Sequence, residues 1–172
     1  ICFLVLWFTL FQEKKIKMLN VWCGNCNFYD ALSRIRNNID FWWLDNSSKQ
    51  VDLCNSKGYN VKKHDLTKSF PFDEGSFDFV IATEIIEHLF DTDSFLHEIN
   101  RVLKKWWTII LTTPNIASFW ARVKLFFLWK RPTCIEAFSR VGTSWHIRAF
   151  DYSDIENLFN NNNFNIQIIT GR

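Results

Sequence analysis

Glycine and proline are both scarce, with five and three copies in 172 residues, and this excludes collagen-like or low-complexity linker architecture. No charge of one sign dominates. A formal net charge of +2 with mixed signs provides no concentrated basic face of the kind nucleic acid requires. No long apolar run is present either. The N-terminal stretch ICFLVLWFTLF is apolar for eleven residues, short of the ~18 that a membrane span needs. Lys14, Lys15 and Lys17 follow that run rather than precede it, unlike a signal peptide. Residues 1–15 are therefore expected to form a covering helix or a frayed end, and a chain opening on Ile1 is expected to be a fragment. The five cysteines are odd in number and scattered, which suits a reducing, cytoplasmic compartment better than a disulfide framework.

What is present is a 48% hydrophobic chain of one domain's length, enough for a full core. Short apolar runs alternate with helical patterns. Strands are expected at Ile16 to Val21, Asp40 to Leu44, Tyr59 to Lys63, Phe77 to Thr83, Thr108 to Thr113 and Phe164 to Thr170. Between them, Phe28, Ala31, Leu32 and Ile35 share one helix face, as do Phe95, Leu96, Ile99, Val102 and Leu103, and Gly58 closes a short helix over Gln50 to Ser56. Lys104 and Lys105 suit the C-terminal dipole of the helix before them, and Ser153 with Glu156 makes a capping box before Ile155 and Leu158. Such alternation predicts an α/β fold, a doubly wound and mostly parallel sheet with helices on both faces. Ligands of these sheets sit at the carboxyl ends of the strands. Residues 116–150 break the alternation and read as a lid over those ends. There, Arg122, Lys124, Lys130 and Arg131 interleave with Trp120, Phe126, Phe127 and Trp129, suiting either an amphipathic helix with a solvated basic edge or contact with an anionic or lipid-linked acceptor.

The turn after the first strand supports two readings. Trp22-Cys23-Gly24-Asn25-Cys26 is a C-x-x-C resembling the thioredoxin signature, an arrangement that favours dithiol redox chemistry. It is also where a nucleotide-type ligand meets a helix N-terminus. Asp45 ends the second strand roughly twenty residues after Gly24, as an acceptor for ribose hydroxyls, and Asp65 follows the third.

Phe77-Asp78-Phe79-Val80, Glu84-Ile85-Ile86-Glu87-His88-Leu89, Phe95 to Lys104, Pro114-Asn115 and His146-Ile147-Arg148-Ala149-Phe150 together resemble class I S-adenosylmethionine-dependent methyltransferases, of the broad group with ubiquinone-biosynthesis-type and glycan-associated members. The resemblance runs from Ile16 to the end. It implies a Rossmann-like domain over 16–172, with the seventh strand missing, and S-adenosylmethionine as cofactor. It assigns Asn20, Trp22, Cys23, Gly24 and Cys26 to the methionine-side loop, Asp45 to ribose, Asp65 and Leu66 to adenine, and Thr83 with Glu84 to the floor after strand four. His88 and His146 are the candidate catalytic residues; the alternative for each is a structural role. Glu84, Glu87 and His88 lack the second ligand pair of a metal set, so no metal is expected. The acceptor is expected to be a small molecule, with a glycan or lipid-linked one in scope, and O-methylation is favoured. An inactive interaction module and a dithiol enzyme using Cys23 and Cys26 are the alternatives.

Glycine scarcity now gains a meaning. The family loop reads D-x-G-x-G-x-G, whereas the chain has Asn20-Val21-Trp22-Cys23-Gly24-Asn25-Cys26. By the family pattern Trp22, Trp43, Trp106, Trp107 and Trp145 all stand at glycine positions, in a chain with nine tryptophans and five glycines. Replacement by one residue type points to decoding, a UGA codon meaning glycine but read as tryptophan; UGG codons at these positions would refute it. Asn20 and Cys26 are not explained this way. An indole at 22 is expected to impair cofactor binding, and Trp106 and Trp107 are each expected to oppose a positive-φ corner.

Overall fold

The computed structural model describes residues 15–22, 38–128 and 146–170. Five parallel strands form one sheet: β1 (Ile16–Asn20), β2 (Ile39–Asp45), β3 (Val61–Lys63), β4 (Phe77–Thr83) and β5 (Leu103–Thr112). Their order is β3-β2-β1-β4-β5, so the winding reverses between β1 and β4. The helices are α1 (Ser48–Ser56), α2 (Thr92–Val102), α3 (Phe119–Leu128) and α4 (Tyr152–Asn161), with a 3-10 turn at Ile86–His88. The expected first helix and residues 1–14 and 129–145 lie outside the described residues.

Parallel strands buried on both faces read as continuous apolar runs, and β4 is buried over all but its last residue. Its side chains alternate between two cores. Val80 and Ala82 join Leu19, Leu44, Phe95, Leu96, Ile99 and Phe159 beneath α2 and α4. Phe79 and Ile81 join Ile16, Met18, Phe41, Trp43, Val51 and Cys54 beneath α1. The doubly wound α/β expectation holds. Cys54 is fully buried in the core beneath α1.

Helix ends follow local chemistry. The Ser47 hydroxyl accepts from the Gln50 N–H at the start of α1, and Gly58 takes φ +85° just beyond its end. Asp91 caps α2 by accepting from the Ser94 N–H. At α4 the capping box is Asp151 with Asp154, not Ser153 with Glu156. Asp caps as well as Ser, and the bridge between Phe150 and Asn115 starts the helix two residues earlier.

Two strand expectations need correction. Residues 164–170 form no strand: no β-strand is aligned beside them among the described residues, although Phe164 and Ile166 pack on the core. At the other end, β5 begins at Leu103 and takes Lys104 and Lys105 out of the helix. Leu103 pairs with Phe77 and Thr108 with Phe79, five steps along β5 against two along β4, so the intervening residues bulge. The bulge lets the Lys104 ammonium reach Asp78, which is 1% exposed and also accepts from the Lys17 N–H. At the bulge apex Trp106 has φ +70° and is 97% exposed. Trp107 is not in the left-handed region; its ring meets Phe79 edge-on at 5.4 Å.

Candidate active site

The reversal between β1 and β4 places the ligand crevice at the carboxyl ends of those strands. Asn20, ending β1, is 4% exposed and its Oδ1 accepts from the Trp22 N–H at 3.0 Å. Asp45, ending β2, is 5% exposed and accepts from the Ser47 N–H at 2.8 Å. Asp65 follows β3; its carboxylate accepts from the Thr67 hydroxyl and N–H, and these bonds hold its pKa below the ordinary carboxylate value. Leu66 packs partly buried on the core. Thr83 ends β4, and Glu84 turns the chain with φ +50°, its carboxylate accepting from the Thr112 hydroxyl. Asn20, Trp22, Asp45, Asp65, Thr83 and Glu84 thus lie where strands end. Cys23, Gly24 and Cys26 lie outside the described residues.

Beyond Glu84 the chain does not continue as α-helix; the 3-10 turn presents Glu87 and His88. Glu87 is 1% exposed. Its Oε2 accepts from Thr113 Oγ1 at 3.1 Å, while Oε1 is buried without a hydrogen bond and lies 3.8 Å from His146 Nε2. The backbone docks alongside: the N–H groups of Ile147 and Arg148 donate to the Glu87 carbonyl. His88 and His146 meet edge-on at 4.8 Å between centroids. Ligand atoms of Glu87, His88 and His146 fall within 4.8 Å of one another. The sequence set of Glu84, Glu87 and His88 thus exchanges Glu84 for His146, a histidine that sequence spacing could not supply. The one local signal for Glu87 in the sequence is an acid following the apolar pair Ile85-Ile86. Arg148 donates to the Leu89 and Phe90 carbonyls.

Trp22 sits 37% exposed at the end of β1, and its indole reaches across to His88, centroids 6.5 Å apart. The acidic side of the crevice suits a nucleoside: buried Asp45 and hydrogen-bonded Asp65 are acceptors for hydroxyl and amino groups. The side where β1 meets β4 carries an indole between Asn20 and His88 instead of an open backbone.

The sequence profile of the "Methyltransferase domain" family matches residues 19–109, from within β1 to within β5. The chain therefore belongs to this family, of the class I S-adenosylmethionine-dependent kind. It is 27% identical over 109 residues to a ubiquinone biosynthesis O-methyltransferase of Pelagibacter ubique, spanning 59% of this chain and 43% of that protein. A SAM-dependent methyltransferase from Archaeoglobus fulgidus superposes with a TM-score of 0.67 at 16% identity, covering 94% of this chain and 66% of that one. The methyltransferase in the Haloferax volcanii complex with the Trm112 activator superposes with a TM-score of 0.65 at 18% identity, over 87% and 62%. The chain spans less than half of the curated relative it matches.

Proposed function

We propose that this chain transfers a methyl group from S-adenosylmethionine to a hydroxyl of a small-molecule acceptor in the cytoplasm. The convergence of Glu87, His88 and His146 at the end of β4, beside the crevice, carries the reading. The P. ubique relative's name supports O-methylation. When bound, S-adenosylmethionine supplies an electrophilic methyl carbon on a sulfonium.

The residues of this chain would supply the remainder. Asp45 would accept from ribose hydroxyls, Asp65 and Leu66 would flank adenine, Asn20, Trp22, Cys23, Gly24 and Cys26 would hold the methionine side, and Thr83 with Glu84 would form the floor. His146 takes the acceptor's hydroxyl proton, with His88 against its ring, while the Glu87 carboxylate balances the imidazolium. A lid formed by the segment after β5 would exclude water from an in-line displacement.

A second reading rests on Trp22. With an indole across the crevice, the written chain is a methyltransferase-like interaction module. The dithiol reading has no support from the family assignment. Calorimetric titration with S-adenosylmethionine and its demethylated product, followed by label transfer to a panel of catechols and other phenols, separates the two. Binding and transfer by the Trp22→Gly chain support the enzyme; no binding by either form supports the module.

A further inference from the structure

Apolar burial does little to hold His146 in place. Phe150, 7% exposed, anchors the end of its segment through the bridge to Asn115 and by accepting from the Ile116 N–H. The three residues between Phe150 and His146 are exposed, Ile147 included at 41%, so packing does not fix the course of the chain between them. Polar contacts do so instead, and Arg148 makes most of them. Its N–H and that of Ile147 donate to the Glu87 carbonyl at 3.1 and 3.0 Å. Its guanidinium donates through Nε to the Leu89 carbonyl at 3.0 Å and through Nη2 to the Phe90 carbonyl. Those two carbonyls lie beyond the Ile85 and Ile86 carbonyls that accept within the 3-10 turn, and before the Asp91 carbonyl that accepts from the Phe95 N–H in α2. A planar guanidinium presents its donors as a rigid fork, which fixes both carbonyls relative to the arginine's own backbone.

These contacts bracket His88. Glu87 precedes it and Leu89 and Phe90 follow it, so one arginine grips the main chain on both sides of His88 from two residues beyond His146. With the segment held in this way, His146 Nε2 stands 3.8 Å from Glu87 Oε1 and its ring meets that of His88 at 4.8 Å. We propose that Arg148 is the positioning residue of this site, acting through His146 by clamping that imidazole against Glu87 and His88. Its part in methyl transfer rests on the reading of His146 as the base; the clamp itself does not. Lysine cannot replace such a residue, because a point ammonium on a flexible stem lacks the rigid fork. An arginine that instead bound an anionic acceptor would tolerate lysine, which keeps the charge.

Two measurements test the clamp. The first needs no cofactor: the chain has four histidines, so histidine-labelled ring protons can be assigned by single substitutions, and cross-relaxation between the His88 and His146 rings reports their contact. The wild-type chain is expected to show that cross-peak, and Arg148→Ala and Arg148→Lys to lose most of it while keeping a cooperative urea transition. The second is steady-state methyl transfer in the Trp22→Gly background. There Arg148→Ala should lower kcat on the order of tenfold with the KM for S-adenosylmethionine unchanged, and Arg148→Lys should recover little of the loss. Neither substitution should lower kcat further once His146 is replaced by alanine, since both act through one group. If Arg148→Ala unfolds, Arg148→Lys carries both measurements. A cross-peak absent from the wild type or kept in the variants overturns the proposal, as does full recovery by lysine or a loss that persists undiminished in the His146→Ala background. Loss of the cross-peak together with full activity of His146→Ala upholds the clamp and removes the base, which tells the two failures apart.

Discussion

The indole of Trp22 meets the imidazole of His88 edge-on, with centroids 6.5 Å apart, closing the space between the ends of β1 and β4. Replacing it with glycine removes the side chain from that space and leaves the backbone free to approach a ligand. Trp22→Gly is expected to tighten S-adenosylmethionine binding at least tenfold, about 1.4 kcal/mol, in calorimetric titration. An unchanged affinity would show that the indole is not the obstacle.

Trp106 and Trp43 predict opposite responses to the same substitution. Trp106 is held at φ +70° with almost no packing to lose. Relief of left-handed strain, less the entropy that glycine gains on unfolding, should make Trp106→Gly more stable by roughly 0.5–1 kcal/mol. Trp43 is 1% exposed and stacks on Phe41 at 5.6 Å. Trp43→Gly should cost about 4 kcal/mol through the void it leaves. Urea midpoints decide both, and matching signs would refute the distinction.

Glu98 and Arg101 pin the connection between β3 and β4. Arg101 donates to both Glu98 oxygens and to the Phe70 and Phe72 carbonyls, and Glu98 also accepts from the Phe70 N–H. Arg101→Ala should destabilise by roughly 1.5–3 kcal/mol in urea unfolding. The Arg101 hydrogen bond, helped by that of Phe70, holds the Glu98 pKa below its ordinary value. The unfolded chain therefore binds this proton at a higher pH than the folded one. The stabilisation is complete above the ordinary glutamate range of ~4 and is lost as pH falls through the folded value. Glu98→Gln should flatten this acid limb of the stability curve; an unaltered limb would mean that the pair contributes nothing to it.

In the Trp22→Gly background, His146→Ala is expected to reduce kcat on the order of a hundredfold, the scale of a lost general base. Glu87→Gln, which removes the charge 3.8 Å from His146 Nε2, should reduce it less. Steady-state methyl transfer measures both, and full activity of His146→Ala would remove it from the mechanism.

Most of the fold was legible where one period governs a segment. The uninterrupted run Phe77–Thr83 and the stripe of Phe95, Leu96, Ile99 and Val102 are read directly from burial on one or both faces. The β5 bulge was not, because it exists only in the register against β4. Two overlapping capping patterns, Asp151 to Asp154 and Ser153 to Glu156, compete within one stretch, and the Phe150 bridge selects the first. At the site, the strand-end residues follow from topology. The meeting of Glu87 with His146 joins distant segments through the docking of 146–150, and no local pattern encodes it.

The surplus residues of β5 also divide that strand into two mechanical regimes. Before Thr108 the chain carries slack, so a residue gained or lost near Trp106 is absorbed in solvent. From Thr108 to Thr112 the pairing with β4 runs without a break and acts as a ruler, holding Thr112 against Glu84. Length variation at one end of the strand is thereby insulated from the spacing of the groups at the other, which allows the bulge to carry an ill-fitting tryptophan without moving the site.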